Sequence, residues 1–284
     1  MPITQITIAP HLTFDALVAG NEGAPLVLLL HGFAESMHCW RAQVTALADM
    51  GYRAIAPSQR GYSRTARPDT RDASNYHIER LMDDAMAIVA ASGYGAARFH
   101  LAGHDWGGSI AWALADRYVE RIASLTILSR PHPNAFNRAL ETDPEQSRRS
   151  KHHRAFLEPG AADVVLADDA KWLRERLAAN GMPQAAIAEH LTVLGNKEAM
   201  EAAIAWYRAR GAIRGPLGPI RTPTLYIWGE ADDTVGRTAA EGTRDFIAAP
   251  YRFEPIPGVG HFAAEQVPER VCELMLAHIA ANPV

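Results

Sequence analysis

Arg98-Phe99-His100-Leu101-Ala102-Gly103-His104-Asp105-Trp106-Gly107-Gly108-Ser109-Ile110-Ala111-Trp112 passes from an apolar run, through a turn bracketed by glycines, straight into a helical pattern. A strand is expected over 98–102 and a helix over 107–118. That succession places Asp105 at the tip of a sharp strand-to-helix turn, where a nucleophile can stand exposed at the end of a sheet. Gly103 and Gly107 suit such a turn, because the tip residue is held in strained backbone geometry and the strand and helix approach closely beside it. The bland alternative is an Asp105 that only caps the following helix. The rest of the chain decides between the two.

Outward from this stretch, strand and helix patterns alternate. Two short alternating segments, about 4–8 and 12–18, read as an antiparallel pair, and the apolar run Pro25-Leu26-Val27-Leu28-Leu29-Leu30 reads as a strand buried on both faces. A helix near 40–49, a strand at 52–56, a helix at 78–91 and a strand at 123–129 continue the rhythm. From Pro131 to about Pro219 it stops, and the chain becomes rich in Ala, Leu, Glu and Arg with helical spacing, as in 169–179 and 197–210. Strands return at Thr224-Leu225-Tyr226-Ile227-Trp228 and Arg252-Phe253-Glu254-Pro255-Ile256, and a helix over 268–281 closes the chain. The expected architecture is a mostly parallel, doubly wound α/β sheet with a helical cap insertion. Its core comprises residues 1–130 and 220–284, and its cap residues 131–219.

Ligands of open parallel sheets sit beyond the carboxyl ends of the strands, so the residues after each strand carry the functional information. Asp232 follows the strand ending at Trp228, in Trp228-Gly229-Glu230-Ala231-Asp232, and His261 follows the next strand, in Gly258-Val259-Gly260-His261-Phe262. A lone loop Asp or His is usually a solvated side chain. Here the two complete the order nucleophile, acid, histidine that belongs to a strand-to-helix nucleophile turn, with Asp233 as a competitor for the acid. His31-Gly32-Phe33 follows the strand ending at Leu30, and the backbone N–H groups of Phe33 and Trp106 are the expected oxyanion-hole donors.

An aspartate at the tip changes the chemistry. A serine attacks acyl carbon after losing a proton to histidine, whereas a carboxylate is already ionised and attacks saturated carbon directly. No G-x-S-x-G or G-x-C-x-G occurs, and the near miss Gly107-Gly108-Ser109-Ile110-Ala111 falls inside the expected helix. Ordinary ester hydrolysis through a serine is therefore not expected.

With these residues in place, the sequence resembles the aspartate-nucleophile branch of the α/β-hydrolase superfamily, which contains epoxide hydrolases, haloalkane dehalogenases and haloacetate dehalogenases. The resemblance covers nearly the whole chain. Gly103-His104-Asp105-Trp106-Gly107-Gly108, Arg60-Gly61-Tyr62-Ser63 and Ala205-Trp206-Tyr207-Arg208 are most similar to the epoxide hydrolases. It implies that Tyr207, in the cap, donates a proton to the epoxide oxygen. Where that family usually carries a second cap tyrosine, shortly before Phe156-Leu157-Glu158-Pro159-Gly160, this chain reads Lys151-His152-His153. Haloacetate dehalogenases place a histidine there in a halide pocket, so His152 and His153 join Trp106 as candidate substrate-binding residues. The arginines with which those enzymes clamp a substrate carboxylate are replaced by Trp106 and Ser109. His31-Gly32-Phe33-Ala34 lacks both the proline common in epoxide hydrolases and the Asn that many haloalkane dehalogenases use for halide. Ser58 stands where the family more often has Asp, and nothing in the sequence explains it.

The expected activity is the opening of an epoxide to a vicinal diol through an alkyl-enzyme ester on Asp105, hydrolysed by water that His261 activates. A dehalogenase using the same aspartate is the alternative, and a non-catalytic ligand-binding protein on a hydrolase scaffold is a third reading. Composition sets the partners. The 284 residues carry 28 Lys and Arg against 32 Asp and Glu, a formal charge of -4 without a basic cluster. Neither nucleic acid nor an anionic membrane surface is expected, and the partner is a small-molecule substrate, with a homodimer left open. Two cysteines, Cys39 and Cys272, supply no disulfide framework and no metal spacing. No metal or cofactor is expected. Without a leader pattern or a long apolar run, the default location is cytoplasmic.

Overall fold

The computed structural model describes residues 1–209 and 217–284. The chain opens with an antiparallel pair, β1 (Ile3–Ala9) and β2 (Leu12–Ala19), followed by β3 (Leu26–Leu30), α1 (Arg41–Asp49), β4 (Arg53–Pro57), α2 (Ile78–Val89), β5 (Phe99–His104), α3 (Asp105–Arg117) and β6 (Ile122–Leu128). A helical block then intervenes: α4 (Pro133–Thr142), α5 (Pro144–Arg149), α6 (His152–Ala155), α7 (Ala161–Ala179), α8 (Gln184–Leu194) and α9 (Lys197–Arg208). The chain returns through β7 (Thr224–Gly229), α10 (Arg237–Gly242), β8 (Tyr251–Ile256), α11 (Ala263–Gln266) and α12 (Pro268–Ala280). The eight strands form one sheet in the order β1-β2-β4-β3-β5-β6-β7-β8. Only the β1–β2 and β2–β4 pairings are antiparallel. The expected α/β-hydrolase sheet and its helical insertion are both present.

Strand alternation accounts for the layers. Leu26, Leu28 and Leu30 project into the core shared with Ile88 of α2 and Trp112 of α3. Val27 and Leu29 project the other way, against Val44 and Leu47 of α1 and Leu274 and Met275 of α12. Because consecutive strand residues point to opposite faces, a strand covered on both sides must be apolar at every position. β3 is, and all five of its residues are buried. Each buried Leu contributes roughly 1.5–3 kcal/mol, and Leu28→Ala would cost about 2–5 kcal/mol.

In the helical block, start signals are visible in the sequence. α4 and α5 carry proline in the first turn, where the missing N–H costs nothing. The Asp143 carboxylate caps α5 by accepting from the Glu145 N–H at 2.9 Å, and Asn196 caps α9 through the Ala199 N–H at 3.0 Å. The helix expected over 169–179 is the second half of a longer α7, which is interrupted at Ala167–Ala170 by non-helical backbone. The helix expected over 197–210 ends at Arg208, and residues 210–216, near the end of the expected cap at 219, lie outside the described part. Among the described residues no helix is long and apolar enough to cross a membrane.

Candidate active site

β5 hands over to α3 with no loop between them. His104 is still extended at φ −113°, and Asp105, the first helical residue, has φ +47°. The helix therefore begins two residues earlier than the sequence pattern suggests. A positive φ is unfavourable for a residue with a Cβ and persists only where the surroundings impose it. The surroundings here are tight: a Cβ on Gly107 would come within 2.1 Å of the Leu30 carbonyl oxygen, so only glycine lets α3 approach β3 this closely.

The Asp105 carboxylate is held between two elements. Its Oδ1 accepts from the backbone N–H of Phe33 at 3.0 Å, in the loop after β3. Its Oδ2 lies 3.8 Å from His261 Nε2. Trp106, whose N–H belongs to the first turn of α3, follows at once. Burial alone would raise the Asp105 pKa, but the positive charges of His261, His104 and Arg130 and the Phe33 N–H outweigh it and bring it down to about 2.

Asp232, in the loop after β7, completes the line. His261 Nδ1 donates to Asp232 Oδ2 at 2.9 Å. Asp232 is wholly buried, and its Oδ1 accepts from the N–H groups of Thr234 at 2.7 Å and Val235 at 3.0 Å. The competitor Asp233 turns outward and pairs with Arg176 of α7 at 3.3 Å. His261 is itself buried, which lowers its pKa, but the charge and hydrogen bond of Asp232, then Asp105 and Glu35, push it up to about 9. With Nδ1–H committed to Asp232, Nε2 is the nitrogen that faces Asp105.

The helical block supplies the opposite wall. Tyr207 of α9 is buried, with its ring edge-on to Phe33 and Trp106, each at 5.2 Å, and to Phe156 at 4.9 Å. His153 of α6 is tilted against Tyr207 at 5.5 Å. His152 stands in the same short helix, and its side chain lies outside the described part. A cavity of about 460 Å³, counting its open mouth, is lined by Asp105, His261, Tyr207, Phe33, Phe156, Trp172 and Leu177. Its walls are mainly aromatic and aliphatic, with the carboxylate and imidazole at one side. Six of the eight residues singled out, Asp105, His261, Asp232, Tyr207, Phe33 and Trp106, thus meet at one sheet edge, with His153 beside them.

Sequence reasoning missed a second buried network directly behind Asp105. His104 and Glu35 have no exposed side-chain surface, and His104 Nδ1 donates to Glu35 Oε2 at 2.6 Å. The other ring nitrogen, Nε2, donates to the backbone carbonyl of His261 at 2.9 Å, which Ser129 Oγ also reaches at 2.9 Å. The Gly32 N–H donates to the same Glu35 oxygen at 3.1 Å. Burial raises the Glu35 pKa, yet the charge and hydrogen bond of His104 bring it below its ordinary value. The pair ties the turn after β3, the end of β5 and the His261 loop together. Its only sequence signal was position, with Glu35 close after β3 and His104 beside the tip. His31 has a plainer role: burial lowers its pKa to about 4, and its neutral ring accepts from the Gln59 N–H at 3.0 Å. Among the described residues no group of three or more His, Cys, Asp or Glu could hold a metal ion.

A mainly parallel eight-stranded sheet, a strained residue at a strand-to-helix turn, an acid and a histidine on later strand ends, and a helical block over them define the α/β-hydrolase class. Residues 25–180 match the family model described as alpha/beta hydrolase fold, and the chain belongs to that family. Epoxide hydrolase 4 of Homo sapiens is 31% identical over 285 residues, covering 93% of this chain and 75% of that protein. Epoxide hydrolase A of Mycobacterium tuberculosis is 31% identical over 303 residues, covering 91% of each. A solved structure described as novel epoxide hydrolases of the α/β-hydrolase superfamily, from metagenomes of hot environments, has 27% identity and a TM-score of 0.85 and covers 98% of both chains.

Proposed function

We propose that this protein opens epoxides to vicinal diols in two steps, with Asp105 as nucleophile. The observation that carries the reading is the split treatment of the Asp105 carboxylate. One oxygen is held by the Phe33 N–H, and the other lies on the His261 side. In the first step Asp105 Oδ2 attacks an epoxide carbon, the carbon–oxygen bond of the ring breaks, and the oxygen takes a proton from the Tyr207 hydroxyl. A phenol suits this, since its ordinary pKa near 10 keeps it protonated at neutral pH while it remains far more acidic than the alcohol formed. Asp105 is now an ester and Tyr207 a phenolate.

In the second step His261 takes a proton from water, and the hydroxide adds to the ester carbonyl carbon. The Phe33 N–H, with that of Trp106, stabilises the oxyanion on Oδ1. Collapse breaks the ester, the diol leaves, and Asp105 is again a carboxylate. The surplus proton passes by way of His261 to solvent and restores the Tyr207 phenol. Asp232 holds the imidazole in the tautomer that presents Nε2 to water. The named relatives, epoxide hydrolases over most of both chains, support the substrate class. The aromatic walls suit an apolar epoxide.

A single turnover in ¹⁸O-labelled water tests the scheme. The label is expected in the Asp105-containing peptide and absent from the first diol released. A diol labelled in that first turnover would overturn the covalent route.

One observation favours a second reading. The His153 and Trp106 rings both pack on Tyr207, which lines the cavity, a grouping that could serve halide as leaving group in the same two steps. Halide release from brominated or fluorinated substrates, without diol from epoxides, would support it.

A further inference from the structure

The proton donor of the proposed reaction sits on α9, and one hydrogen bond ties the neighbouring residue to the sheet side of the molecule. We propose that Trp206 is a positioning residue: its indole, hydrogen-bonded to the Arg60 carbonyl, sets where the Tyr207 hydroxyl stands over Asp105. The inference rests on the reading of Tyr207 as the proton donor.

Trp206 is buried, and its Nε1–H donates to the backbone oxygen of Arg60 at 3.0 Å. That oxygen is a stiff anchor. The Arg60 guanidinium is clamped by Asp84 of α2 through two bonds of 2.6 Å each, with both side chains almost fully buried. Two parallel bonds between planar groups fix orientation as well as distance.

The next residue gives α9 a second seat on the same loop. Gly61 has φ +90°, and a Cβ there would approach the Ala202 Cβ to 2.9 Å and its carbonyl to 3.3 Å. Ala202 and Trp206 are four residues apart and share one helix face, so α9 rests on the Arg60–Gly61 loop along a full turn. The Tyr62 ring adds an edge contact to Trp206 at 5.6 Å. No other side chain on this face of that turn pairs an N–H with a backbone oxygen across the joint among the hydrogen bonds described. The hydrogen bond adds a directional tie to the ring contacts of Trp206 with Tyr62 and Trp106, and a directional bond constrains the rotation of α9 about its axis more tightly than ring packing does.

Rotation is what matters to the donor. Successive helix residues are about 100° apart, so holding Trp206 on the Arg60 loop points Tyr207 to the cavity. A tyrosine oxygen lies roughly 9 Å from the helix axis, and a roll of about 10° moves it by about 1.5 Å. A displacement of about 1 Å costs a positioned catalytic group on the order of 10²-fold in rate. Loss of the indole donor also leaves the Arg60 oxygen buried without its partner, which favours such a roll.

Pre-steady-state alkylation and ester-hydrolysis rates in Trp206→Phe, Tyr207→Phe and the double variant test the proposal. Trp206→Phe is expected to slow alkylation by about 10- to 100-fold and to leave hydrolysis of the accumulated ester within about twofold of wild type. In the Tyr207→Phe background the same change is expected to slow alkylation less than about twofold, because there is no donor left to misplace. If Trp206→Phe does not fold, β-(3-benzothienyl)alanine at position 206, which keeps the ring shape and lacks the N–H, is measured instead with the same expectations. Equal losses in both backgrounds, or unchanged alkylation in either position-206 variant, would overturn the positioning role. An unchanged rate in Tyr207→Phe alone would instead remove the donor assignment, a failure separate from that of the Trp206 contact.

Discussion

Phe33 and Asp105 are joined by a 3.0 Å hydrogen bond from the amide of one to Oδ1 of the other, which leaves Oδ2 on the side of His261. The loop after β3 thus assigns the two carboxylate oxygens different work before any substrate arrives. In the proposed ester, Oδ1 would be the carbonyl oxygen, already facing its donor, and Oδ2 would carry the alkyl group.

Asp105→Ala is expected to abolish turnover, and freshly purified Asp105→Asn to do the same, because neither side chain supplies an ionised nucleophile at the turn. Diol formation from an apolar epoxide is the measurement. Full activity in Asp105→Ala would remove the assignment.

Tyr207→Phe is expected to slow alkylation of epoxides by roughly 10²- to 10⁴-fold, the usual share of a positioned general acid. Rapid-mixing measurement of ester formation reads this step alone. An unaffected rate would transfer the donor role to His153 or His152.

His261→Gln is expected to form the ester and stall, since Asp105 needs no base to attack and only water does. Intact-protein mass spectrometry should show an adduct of the epoxide's full mass, located on the Asp105 peptide. The pH dependence follows from the same roles. His261 titrates near 9 in the free protein, in part through the negative charge of Asp105. Esterification neutralises that charge, so the imidazole pKa falls in the intermediate. Hydrolysis then slows as pH drops through the lowered value, because imidazolium cannot accept a proton, while alkylation does not. An NMR titration of His261 should move downward in Asp105→Asn, and an unmoved titration would contradict the coupling.

Asp232→Asn is expected to slow ester hydrolysis on the order of 10⁴-fold. The Thr234 and Val235 amides hold the Oδ1 position as an acceptor, so the new NH₂ would face His261 Nδ1 and force the wrong tautomer. Asp233→Asn, at a rim side chain that pairs with Arg176, Asn180 and Thr234 while Asp232 holds the His261 hydrogen bond, is expected to change that rate less than about threefold. Similar losses in both variants would undo the choice between the neighbours.

Glu35→Gln removes the buried carboxylate that the His104 ring donates to and is expected to destabilise the fold by about 3–5 kcal/mol at neutral pH. Its folded pKa lies below the ordinary 4.5, so its contribution is fully present above that value and lost as pH falls through the folded one. Urea unfolding of wild type and variant should therefore converge in acid. A difference independent of pH would mean that packing, not charge, is responsible.

Much of the site was legible along the chain because the informative signals are local. The apolar runs that become β3, β5 and β7, the glycines around Asp105, and the order Asp105, Asp232, His261 are all patterns within a few residues of one another or simple succession. A parallel sheet turns succession into proximity by gathering the carboxyl ends of its strands at one edge. The choice of Asp232 over Asp233 was not legible. Adjacent residues of a loop differ in no pattern, and only the turn that brings the Thr234 and Val235 amides onto Asp232 separates them.

The sequence by itself determined the fold class, the strand-to-helix turn at Asp105 and the residue types at the strand ends, since backbone propensity and burial act locally. Only the tertiary structure decided that Glu35 meets His104 across 69 residues, and that Trp206 meets the Arg60 carbonyl across 146. The first contact exists because β3 and β5 are neighbours in a sheet that skips the intervening β4, and the second because the helical block folds back over the loop after β4. Hydrogen bonds of that kind depend on where separate elements come to rest, and no spacing within the chain encodes it.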